Sequence, residues 1–220
     1  MTGIWGKTTA KESIRRISPL ILIIVNYFSS HLLYRRFASW CWVPILAVYY
    51  FLIAVIVFML GENGHYREWF AKSKGRRVWR VMGIVFFSLF SLPYFVMNIS
   101  LLNNASMIVL SIVYSLVNPF FEELYWRRVL LAGTKTNGVL SVLISSIFFT
   151  VNHPAAFSLL NTTFTEPGFL VVTFMYGLMW SVLFKKTGSL RWNYATHAMV
   201  NFASLSVLVF MNVYVPAFSM

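Results

Sequence analysis

Long apolar blocks separated by short polar joints run the length of the chain. Read as helices, they predict spans at 17–34, 38–60, 78–97, 106–131, 138–158, 168–184 and 192–215. Each is near or above the roughly 18 residues a helix needs to cross hydrocarbon. The pattern therefore predicts an all-α fold, a polytopic transmembrane helical bundle of about seven spans, with an eighth possible. A basic start before the first apolar run also fits a signal peptide. That run lacks a clear small-x-small cleavage site, so an uncleaved first span is expected.

Composition agrees with the pattern. Of 220 residues, 59% are hydrophobic and only 11% charged, where a soluble domain has about one quarter charged. Aromatic residues make up 18%, many near block ends, where amphipathic rings favour the headgroup layer. The lone Cys41 has no cysteine to pair with inside the chain and reads as a small buried residue.

A net charge of +12 raises the question of nucleic acid, and the placement of the cations answers it. Lys7, Lys11, Arg15 and Arg16, then Arg67, Lys72, Lys74, Arg76, Arg77 and Arg80, fall on one side of the expected bundle. Arg127, Arg128 and Lys135, then Lys185, Lys186 and Arg191, join them; only Arg35 and Arg36 fall opposite, 16 against 2. This is the positive-inside asymmetry, with the amino terminus cytoplasmic and the carboxyl terminus outside. The basic excess orients the chain, and no nucleic-acid partner is expected. The mixed cation and aromatic stretch at 66–80 reads first as an interfacial cytoplasmic loop, and second as a site for a partner or an anionic headgroup. Gly133, Gly138 and Gly188 mark cytoplasmic turns.

Charge inside a bilayer is costly, so the few ionisable residues within the blocks are the informative ones. They are Glu122, Glu123 and Arg127 in the fourth span, His153 in the fifth, and His197 with Asn201 in the seventh. Glu123 and Arg127 stand i,i+4 on one helix face and can pair, whereas Glu122 points about 100° away. His197 and Asn201 repeat the i,i+4 spacing, as do Phe149 and His153. Pro119 frees a carbonyl one turn earlier and is expected to bend the fourth span. Counting from the turn near 135–137 puts Glu122 level with His153. Counting from Gly188 at ~1.5 Å per residue leaves His197 ~9 Å nearer the cytoplasm than those two.

Such a set suits water activation. A carboxylate within hydrogen-bond reach of a water can act as general base, and His153 can hold the water and pass the proton. His197 and Asn201 can donate to a tetrahedral oxyanion. Peptide hydrolysis uses all four without a cofactor. Zinc is the alternative, with Glu122, His153 and His197 as ligands and an open position for water, although no H-E-x-x-H occurs. The same residues could instead lock helices together. Single residues favour that bland reading; a set spread over three spans favours chemistry. His31 reads as a packing group and His65 as a solvated loop residue.

In three motifs the chain resembles the CPBP intramembrane proteases, the CAAX-protease and bacteriocin-processing (Abi-like) family. These are Glu122-Glu123-x-x-x-Arg127, Phe149-x-x-x-His153 and His197-x-x-x-Asn201, in order and on separate spans. The resemblance covers the core at 106–215, and leaves 1–105 as three N-terminal spans with a basic cytoplasmic loop. It implies an intramembrane endopeptidase of glutamic type, with Glu122 as base, His153 as its partner, and His197 and Asn201 as oxyanion donors. Glu123, Arg127 and Phe149 would support the site. The implied partners are the lipid bilayer and a membrane-associated substrate, of CAAX or bacteriocin-leader type. A non-catalytic scaffold or bacteriocin-immunity protein would use the same polar core. The expected location is the cell membrane as a multi-pass protein, with the endoplasmic reticulum membrane as alternative.

Overall fold

The computed structural model describes residues 3–60, 66–73, 75–133 and 138–214, and among these every regular element is helical. His65 and the turn residues 135–137 lie outside the described residues. Helix α1 (Gly3–Phe37) leads through a 3-10 turn (Ala38–Cys41) into α2 (Trp42–Leu60). A short α3 (Tyr66–Trp69) precedes α4 (Arg77–Asn98). Helix α5 (Ala105–Glu122) continues without a break as a π-helical segment (Glu123–Leu131). Helices α6 (Gly138–Phe157), α7 (Pro167–Thr187) and α8 (Leu190–Ala203) follow, and α9 (Ser206–Phe210) closes the chain.

Among the described residues, five stretches are long and apolar enough to cross a membrane: Ala10–Leu60, Arg77–Leu101, Ala105–Leu131, Gly138–Phe157 and Pro167–Thr187. The first of them, at 51 residues, runs through both α1 and α2. Their outward faces are apolar, with Phe58 and Met97 each 77% exposed. A water-soluble protein does not leave contiguous surface of that kind uncovered. The molecule is a membrane protein.

The expected seventh span, 192–215, is not one helix. Helix α8 ends at Ala203, and Leu205 adopts the left-handed conformation (φ 52°). That geometry costs a non-glycine residue about 1–2 kcal/mol. Burial holds it there: Leu205, Val207 and Leu208 have no exposed surface. The chain turns back as α9 and packs Phe210 against Trp42, Tyr114, Phe157 and Phe164. An apolar run that reads as a continuous span is thus a helix followed by a buried return.

Close helix contacts are made by small residues, as expected where lipid offers no hydrophobic drive. A side chain at Gly177 of α7 would sit 3.3 Å from Ser146 and from Phe149 of α6. Helix α6 carries Ser141, Ser145, Ser146 and Thr150 buried along its length. Gly188 caps α7 in the left-handed conformation (φ 65°), where glycine has no steric penalty. Gly133 lies in the turn after the π segment, but Gly138 is the first residue of α6 rather than a stop.

Candidate active site

The fourth span places the acidic pair. Pro119 has no amide hydrogen, so α5 loses one ladder bond there, yet the helix does not break. It widens after Glu122 into the π coil, closed by bonds such as Ala132 N to Arg127 O at 3.0 Å. A π coil holds more residues per turn and so rises less along its axis. Glu122 therefore stands nearer its cytoplasmic turn than regular α geometry predicts. The expected ~9 Å offset of His197 does not arise: its ring meets both carboxylates.

His197 Nδ1 donates to Glu123 Oε1 at 2.8 Å, and Nε2 lies 3.4 Å from Glu122 Oε2. The two carboxylates, 100° apart by simple helical reckoning, are joined through one imidazole. Trp180 of α7 stacks on that ring at 3.9 Å between centroids. Glu123, with no exposed surface, also accepts from Asn193 Nδ2 at 3.0 Å and lies 3.5 Å from Arg127 Nη1. Arg127 is equally buried, its guanidinium over the rings of Phe149 (4.7 Å) and Trp180 (5.4 Å). It belongs to the core and not to the cytoplasmic cations; the charge asymmetry stands without it.

Glu122 is 3% exposed. Tyr49 Oη donates to its Oε1 at 3.1 Å and Asn118 Nδ2 to its Oε2 at 2.9 Å. On α6, His153 Nδ1 donates to the Phe149 carbonyl at 2.8 Å, which leaves Nε2 to accept. The Phe149 ring meets both imidazoles edge-on, His153 at 4.7 Å and His197 at 6.2 Å.

A cavity of about 120 Å³ opens beside these groups. His153, His197 and Asn201 line it, within walls built mainly of aromatic rings such as Tyr114, Phe169, Tyr176 and Trp180. Glu122 is not a lining residue; its Oε2 stands behind His197, which is. Asn201 is 9% exposed and its Nδ2 has no hydrogen-bond partner, an unspent donor at the cavity wall. Among the described residues no three His, Cys, Asp or Glu side chains form a group that could hold a metal ion.

Tyr49, Asn118, Asn193 and Trp180 belong to the site without having been singled out in the sequence. Two of them were within reach: Asn118 stands four residues before Glu122 and Asn193 four before His197, so each extends a polar stripe. The aromatic pair carried no such signal in a chain where 18% of residues are aromatic.

Fold and site together define a class, a helical membrane protein with a buried carboxylate and imidazole cluster at the wall of an apolar cavity. The family comparison agrees: residues 103–203 match the family described as type II CAAX prenyl endopeptidase Rce1-like. This part of the chain is thus similar to that protease family, and the matched stretch contains every residue of the three motifs. No curated protein and no solved structure matches the chain.

Proposed function

We propose that the protein is an intramembrane endopeptidase of glutamic type, acting on a membrane-associated peptide or protein of CAAX or leader type. The reading rests on one observation above all: Glu122, buried and held by Tyr49 and Asn118, has its Oε2 3.4 Å from His197 at the edge of a cavity that His153 also lines.

Glu122 is the general base. It takes a proton from water as the water oxygen attacks the scissile carbonyl carbon. His153, with Nε2 able to accept, orients that water. The carbonyl oxygen becomes an oxyanion, and Asn201 Nδ2 donates to it; His197, whose Nδ1 hydrogen is taken by Glu123, adds a second donor at Nε2 when the ring carries both protons. Collapse breaks the C–N bond, and the proton held by Glu122 passes to the departing amine. Glu123 and Arg127 position His197 from behind, and Phe149 supports both imidazoles. Every step is supplied by the chain's own side chains.

Glu122→Gln keeps the shape of the side chain and removes the base. With the full chain in nanodiscs and a farnesylated, internally quenched CAAX peptide, cleavage should fall by about 10²–10⁴-fold. Retained cleavage overturns the assignment. Metal analysis of the purified protein, with cleavage measured before and after a chelator, separates this mechanism from a zinc-dependent one: a chelator-sensitive activity restored by zinc would replace it.

A further inference from the structure

Tyr49 lies on α2, outside the residues that match the protease family, and is 1% exposed. Its hydroxyl is the middle of a hydrogen-bonded chain. Trp126 Nε1 donates to Tyr49 Oη at 2.9 Å, and Tyr49 Oη donates to Glu122 Oε1 at 3.1 Å. The direction is forced, because an indole N–H only donates and the hydroxyl has one hydrogen to pass on.

The second oxygen is tethered in a parallel way. Asn118 Nδ2 donates to Glu122 Oε2 at 2.9 Å, while Tyr50 Oη donates to Asn118 Oδ1 at 3.0 Å. The Tyr50 bond occupies the amide oxygen and so turns the amide nitrogen toward Glu122. Two successive residues of α2 therefore reach both oxygens of the carboxylate, one directly and one through Asn118.

We infer that Tyr49 is a positioning residue of the hydrolytic site, fixing the rotation of the Glu122 carboxylate so that Oε2 faces His197. The inference rests on the reading of Glu122 as the base. The terminal torsion of a glutamate is broad and two-fold, so an untethered carboxylate samples many orientations. Donors on opposite oxygens remove that freedom, and a reactive group held in one geometry reacts faster than one that must find it. Catalytic competence thus depends on the N-terminal spans as well as on the matched domain.

The test uses Tyr49→Phe in the full chain, reconstituted in nanodiscs, with the same farnesylated quenched peptide. Tyr49 does not line the cavity. The expected result is a kcat lowered about 10–100-fold, with KM changed by less than about twofold. Tyr50→Phe, whose hydroxyl meets Asn118 and not Glu122, should lose less. A substrate-free readout accompanies this: the infrared carboxylate band that Glu122→Gln abolishes should shift in frequency in Tyr49→Phe. If Tyr49→Phe does not fold, Trp126→Phe keeps the hydroxyl, removes its donor and is read in the same band. Full kcat in Tyr49→Phe, or an unmoved Glu122 band, overturns the inference. Cleavage by Glu122→Gln would instead overturn the reading of the base itself, so the two failures are distinct.

Discussion

Asn201 shows how a residue's worth depends on what its atoms do not touch. Its Nδ2 is enclosed and bonds no protein atom among the described residues, which beside a cavity leaves it free to donate to a ligand or water. Asn201→Ala should therefore leave the apparent melting temperature close to that of the parent while lowering kcat about 10²–10³-fold, the usual effect of removing one oxyanion donor. Differential scanning fluorimetry beside peptide cleavage checks both halves. A large loss of stability with unchanged kcat would return Asn201 to a packing role. Glu123 is the opposite case: His197, Asn193 and Arg127 all converge on it, so its removal would unfix the imidazole rather than delete a reacting group.

At the scale of elements, the crossing of α6 and α7 decides whether the imidazoles stay in place. At Gly177 the two helices meet closely, with Ser146 and the Phe149 ring each 3.3 Å from where a side chain would begin. Gly177→Val adds volume that the facing backbone cannot yield, and over-packing of this kind costs about 1–3 kcal/mol. Its carbonyl also faces Arg127 Nη2 at 3.4 Å, so the displaced helix would carry the guanidinium and the Phe149 ring with it. Lower thermal stability together with reduced kcat is the expected outcome; either change alone would show that the crossing does not couple packing to the site. The π segment matters for the same reason. Wider coiling after Glu122 shortens the rise to the acidic pair and so moves it toward the level of His197.

For the molecule as a whole, orientation follows from where the cations lie. Lys72 and Thr165 are both exposed, the one in the basic segment before α4 and the other in the joint before α7. In a Cys41→Ser background, an impermeant maleimide applied to intact cells should label Thr165→Cys and spare Lys72→Cys until the membrane is opened. The reverse pattern would invert the assigned topology. Span limits were legible because lipid demands long apolar helices: the expected 78–97, 106–131, 138–158 and 168–184 each fall within a few residues of the helix found. The final block was misread for a matching reason. Hydropathy reports whether residues avoid water, and a buried return at Leu205 avoids it as well as a span does.

The sequence by itself determined the class of fold, the set of ionisable residues inside the apolar blocks and the i,i+4 stripes that carry them, since these depend only on local chemistry and helical period. Tertiary structure alone decided that one imidazole bridges both carboxylates, that Arg127 lies in the core, and that Tyr49 of α2 reaches Glu122 while Tyr50 reaches Asn118. Those are contacts between side chains carried on separate helices. No local pattern encodes the height and rotation at which separate helices pack.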